Sequence, residues 1–164
     1  MTKLLMILLL STGPLTVVGG PAQAAAPECT NAKLVASYRS TDGGMSHEYG
    51  RIVLRNVSDA ACSIRGYGGL SYVGGGDGTQ VGAAATRTAG PVRRIVVRPG
   101  QRVVSEVAAT DVAPYPRRRC RPEHVDGFWV YLPDETRAQF VAHPTTGCRN
   151  HRVHLLAHRA YVRP

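Results

Sequence analysis

Four guanidinium groups stand together in Arg117-Arg118-Arg119-Cys120-Arg121, directly after Pro114-Tyr115-Pro116. Planar forks on one proline-stiffened loop can bind phosphate or carboxylate groups bidentately. Arg117, Arg118, Arg119 and Arg121 are therefore a candidate anion site. The same run also fits a solvated charge cluster beside a cysteine, with no ligand at all. Arg93, Arg94, Arg98 and Arg102 extend the patch if their edge of the fold lies close by. The second set is His151, His154 and His158. Spacings of three and four line one face of a helix, and imidazole is a common ligand of zinc and copper. In a strand, His154 and His158 share a face while His151 points away. Val153, Leu155 and Val162 favour the extended form, and no neighbouring acid or cysteine completes a donor set, so neither metal nor other cofactor is expected.

Local signatures of catalysis are missing from the sequence. It has no Gly-x-Ser-x-Gly elbow, no His-Glu-x-x-His and no glycine-rich phosphate loop before a helix. Gly74-Gly75-Gly76-Asp77-Gly78 reads as a hairpin turn, and Asp134-Glu135 as solvated carboxylates at a turn tip. The chain is therefore read as a non-enzymatic binding or interaction module. Its alternatives are a metal-binding protein using the three histidines, or an uncharacterised extracellular hydrolase whose site forms only on folding. Asn56-Val57-Ser58 matches the glycosylation pattern but sits at a turn, where it is read as structural. Trp129 is read as a core residue, or as one packed against a disulfide.

Charge narrows the partner. The chain has 20 Lys+Arg against 11 Asp+Glu, a formal net charge of +9. Lys3 and Lys33 are its lysines, so 18 of the 20 cations (20 − 2) are arginine. Such a protein is drawn to anionic surfaces, and an anionic cell-envelope polymer or another exported protein is the expected partner. Aromatic residues make up 6% of the chain and are not interleaved with the arginines, so specific nucleic-acid recognition is not expected.

Export is read from the first residues. Lys3, the apolar run Leu4 to Leu10 and Ala22-Gln23-Ala24 have the order of a secretory signal peptide. Gly13-Pro14 breaks the run well short of the ~20 residues that span a bilayer, so no transmembrane segment is retained. Cleavage after Ala24 or Ala26 leaves residues 27–164 as a single domain, secreted or held at the envelope.

The elements that must position these groups read as strands. Arg51 to Arg55 alternates apolar and charged residues, and Cys62 to Arg65 follows a polar turn at Asn56, Ser58 and Asp59. Further strands are expected over Lys33 to Tyr38, Leu70 to Val73, Val92 to Val97, Val103 to Val107, Phe128 to Leu132, Gln139 to His143 and Arg152 to Val162. Arg39 to His47 reads as a polar loop, Thr79 to Gly90 as unpatterned, Arg98-Pro99-Gly100 as a type II turn and Pro114 to Pro122 as irregular. Eight or nine short antiparallel strands imply an all-β, immunoglobulin-like sandwich.

Cys29, Cys62, Cys120 and Cys148 allow three disulfide pairings. A hairpin of 33–38 with 49–55 brings Cys29 and Cys62 to one end, and a hairpin of 128–132 with 139–143 does the same for Cys120 and Cys148. Cys29–Cys62 and Cys120–Cys148 are therefore favoured. No two cysteines have the close spacing of a four-cysteine zinc site.

These landmarks together resemble the secreted actinobacterial family known as domain of unknown function 4232 (DUF4232). The resemblance rests on Cys29, Arg51-Ile52-Val53-Leu54-Arg55-Asn56, Cys62-Ser63-Ile64-Arg65-Gly66-Tyr67, Val97-Arg98-Pro99-Gly100, Cys120, Phe128-Trp129-Val130-Tyr131-Leu132-Pro133 and Cys148. It covers nearly all of the chain after the leader. Gly68 departs from the pattern, which usually follows Gly-Tyr with proline. The resemblance implies an exported or membrane-anchored immunoglobulin-like sandwich and carries no agreed activity.

Overall fold

The computed structural model describes residues 25–164. The leader expected over residues 1–26 therefore lies, through residue 24, outside the described residues. The rest is all-β. In chain order the strands are β1 (Leu34–Gly44), β2 (His47–Asn56), β3 (Cys62–Arg65), β4 (Gly69–Gly74), β5 (Thr79–Gln80) and β6 (Thr86–Arg87). Then come β7 (Arg94–Val97), β8 (Arg102–Thr110), the helical turn α1 (Arg117–Cys120), β9 (Pro122–Tyr131), β10 (Ala138–Cys148) and β11 (Leu156–His158). The strand count exceeds eight or nine because Thr79 to Gly90, expected to be unpatterned, contributes the two-residue strands β5 and β6.

Three sheets form: β1-β2-β8-β11-β6, β10-β9-β4-β5 and β3-β7. The named strands pair antiparallel except for β11 with β6, which is parallel, as is the isolated bridge between Glu28 and Ser63, and this corrects the expected all-antiparallel pattern. In β2, Ile52 and Leu54 are buried between exposed Arg51 and Arg55, as period-two alternation requires. Arg39 to Gly44 is not a loop but the outer half of β1, exposed throughout and paired to β2 through a bulge between Ser40 and Asp42. That half projects past the core, so backbone bonds hold it and no apolar pattern marks it. Met45 and Ser46 close the hairpin at φ 51 and 64, left-handed positions that usually go to Asn and Gly. The Arg98-Pro99-Gly100 turn forms as expected, with Gln101 N–H donating to Arg98 O at 3.0 Å and Gly100 at φ 75. The last strand shrinks from Arg152–Val162 to β11 and an isolated bridge between Val162 and Val104, because Tyr161 N–H turns aside to Gly66 O.

The two larger sheets share one core, in which Leu34, Ile52, Leu54 and Val103 meet Leu70, Tyr72, Val125 and Phe128. Phe128 is its centre, stacked with Tyr72 at 5.3 Å and His143 at 5.0 Å and tilted against Tyr38 at 5.1 Å. The edge strands β1 and β10 run side by side without joining. Gln139 bridges them: its Oε1 accepts Ala36 N–H at 2.9 Å, and its Nε2 donates to Leu34 O at 2.7 Å. Disulfides Cys29–Cys62 and Cys120–Cys148 have Cα separations of 4.9 and 4.7 Å. Their sequence separations of 33 and 28 residues give each a worth of roughly 3–4 kcal/mol in the chain-entropy model. Among the described residues no helix is long and apolar enough to cross a membrane.

Candidate anion-binding site

The arginine run is a single turn of helix, not an irregular loop. Pro116 caps α1 at φ −54 and ψ 130, and its carbonyl accepts from Arg119 N–H at 2.8 Å and Cys120 N–H at 3.0 Å. Proline is tolerated there because the first amides of a helix have no intrahelical partner, and arginine is a good helix former. Cys120 points inward, fully buried and bonded to Cys148. Arg121 ends the turn in left-handed backbone at φ 52 and ψ 72, its N–H donating to Arg117 O.

A second segment fastens the turn from outside. Asn150 donates from Nδ2 to Arg119 O at 2.7 Å and from its backbone N–H to Cys120 O at 3.2 Å, and Arg149 N–H donates to Arg121 O at 3.1 Å. The carbonyls left open at the end of α1 are thus satisfied by 149–150. Arg152 joins the same loop, its N–H donating to Asn150 Oδ1. Sequence reading missed Arg149 and Arg152, because only the Cys120–Cys148 link brings them beside α1.

Arg117, Arg118, Arg119 and Arg121 are all exposed. Successive side chains on a helix diverge by about 100°, so the turn presents its charges over a wide arc. Among the described residues none of the four is in an ion pair, whereas Arg149 pairs with Glu123 at 2.6 Å, Arg94 with Glu28, and Arg51 and Arg159 with Glu106. Arg98 and Arg102 do not extend the patch. Arg102 opens β8 and Arg98 lies in the turn before it, at the end of the fold where Gln139 meets Leu34 and Ala36, whereas α1 precedes Pro122 and Cys148 at the other end of the β9–β10 pair. Arg94 is held at β3, donating to Ser63 Oγ at 2.9 Å.

The structure does not bring His151, His154 and His158 together into one donor set. His151 bonds Gly82 O at 2.9 Å, His154 is exposed, and His158 is buried at 4% exposure against Ser105. Among the described residues no group of three or more His, Cys, Asp or Glu side chains is placed to hold a metal ion. Burial, with the charge of Arg87 second, lowers the His158 pKa from 6.5 to about 4. Ser105 Oγ donates its proton to Arg159 O at 2.6 Å, so this pair ties β8 to β11 inside the core. Asn56 is fully buried, and its Nδ2 donates to Ala60 O and Val97 O, both at 2.9 Å, which fits the structural reading of Asn56-Val57-Ser58.

Two groupings escaped sequence reading. Tyr38 Oη donates to Glu48 Oε1 at 3.0 Å, with His143 Nε2 3.6 Å from the same oxygen. Burial, then the nearby Glu48 charge and bond, raises the Tyr38 pKa above its ordinary value. The phenol lies across Gly50, where any Cβ would collide with it. Trp129, expected in the core or against a disulfide, instead stands half-buried on the outer face: Phe128, Val130 and Leu132 are buried, so alternation sends Trp129 to the opposite face. There it meets Phe140 edge to face at 5.6 Å.

A family model described as "Domain of unknown function (DUF4232)" matches residues 29–159. That span includes both disulfides, α1 and Arg149–Arg152. No curated protein and no solved structure matches the chain.

Proposed function

We propose, for a chain that belongs to the DUF4232 family, a non-enzymatic binding module that grips anionic polymers of the cell envelope through the arginine turn. One observation carries the reading: Arg117, Arg118, Arg119 and Arg121 stand exposed and without carboxylate partners on a turn that a disulfide and Asn150 hold in place. A backbone already held in place has less freedom to lose on binding, and a wide arc of charge suits a chain of repeating anions. The two disulfides and the formal charge of +9 favour work outside the cytoplasm, on an anionic surface. The burial of Ser105 and His158, with the hydroxyl proton committed to a carbonyl, favours the non-enzymatic reading.

Pull-down on purified cell-wall material across a salt series tests it. Retention should fall steeply with salt and disappear in the Arg117/Arg118/Arg119/Arg121→Ala variant. Retention indifferent to both contradicts it.

A further inference from the structure

On the outer face of the β10-β9-β4-β5 sheet lies a groove of about 430 Å³, within the range of small-molecule sites. Its floor is the Trp129–Phe140 pair, and its wall is the hairpin of Gly76, Asp77 and Gly78, with Asp126 beside it. Phe140 is 50% exposed. The indole is fixed, since Trp129 Nε1 donates to Gly78 O at 2.8 Å and the Gly78 backbone rests so close to the ring that a Cβ would meet it. Asp126 Oδ2 accepts Gly76 N–H at 2.8 Å, with His124 Nε2 3.3 Å from its other oxygen, and Asp77 Oδ1 accepts Thr79 N–H at 2.9 Å. Each carboxylate oxygen has lone pairs to spare after these bonds.

From this arrangement we infer that the groove is a glycan subsite, taking a neutral pyranose ring against Trp129 and Phe140 while Asp77 and Asp126 accept its hydroxyl protons. The C–H bonds of a pyranose face are polarised toward the negative face of an aromatic ring, and its hydroxyls are the donors that two carboxylates need. Two carboxylates and no arginine or lysine among the lining residues turn anions away. An ammonium ion in so open a groove stays hydrated, and cation–π attraction at exposed sites is worth only about 0.5–1 kcal/mol. A chain of charge +9 also repels it at long range. None of the four arginines of the turn lines the groove.

Trp129 is the single tryptophan of the chain, so its fluorescence reports on the groove directly. The probes are tetramers of N-acetylglucosamine, glucose and mannose, with choline chloride as the cationic alternative. At least one oligosaccharide should give a saturable emission change. Phe140→Ala should weaken it by about tenfold, the worth of one aromatic contact, and Phe140→Tyr should retain it. High salt and the Arg117/Arg118/Arg119/Arg121→Ala variant should leave it unchanged, which separates this site from the polymer-binding reading. No saturation with any of the three, saturation at undiminished affinity in Phe140→Ala, or saturation by choline chloride instead overturns the inference.

Discussion

Arg121 shows the tension between position and stability at the level of one residue. Its left-handed backbone disfavours an L side chain, and strain of this kind persists where the direction of a group matters. Arg121→Gly should therefore raise the unfolding free energy by about 1 kcal/mol in denaturant titration while lowering retention on anionic polymer. A variant no more stable than the parent contradicts the strain argument. His158 makes the complementary case in the core. With a folded pKa near 4 against 6.5, the folded state binds fewer protons than the unfolded chain between those values, so stability falls as pH drops through that window. The full effect, reached below pH 4, is roughly 3 kcal/mol. Thermal unfolding at neutral pH and near pH 4.5 should show a smaller pH dependence in His158→Gln than in the parent; equal dependence contradicts the assignment.

At the level of elements, Gln139 stands in for the strand that would otherwise join β1 to β10. Replacing it with leucine removes the acceptor of Ala36 N–H and the donor to Leu34 O, at a cost of about 2–3 kcal/mol. Hydrogen exchange at the Ala36 amide should quicken in step; an unchanged rate argues against the bridge. The same scale explains what the sequence made legible. β3, β4 and β8 stood out because short apolar patterns and turn residues bound them on both sides. The outer half of β1 did not, since exposed backbone pairing leaves no mark on side-chain type. α1 was hidden because Pro116 looked like a breaker, although its fixed φ suits the cap of a helix. The core reading of Trp129 fails because the alternation of Phe128, Val130 and Leu132 assigns it to the other face. The Tyr38–Glu48–His143 grouping joins three strands and the Trp129–Phe140 pair joins β9 to β10, and no local spacing announces such contacts.

For the molecule as a whole, two disulfides pin opposite ends of one core. Cys29–Cys62 lies near the start of β1, and Cys120–Cys148 joins the start of β9 to the end of β10, beside the arginine turn. Among the described residues, acidic side chains pair with Arg51, Arg94, Arg149 and Arg159 and with none of the four arginines of the turn. The arginine run itself was legible; its fixed orientation and its added neighbours Arg149 and Arg152 depended on the fold. The central claim is that this turn binds polyanions through its guanidinium charges. Its most direct measurement is the slope of log affinity against log salt for a soluble polyphosphate, in the parent and in single Arg→Ala variants of the turn. Each substitution should reduce the slope by about one, as the loss of one phosphate contact requires. A slope that stays the same after all four are removed contradicts the account.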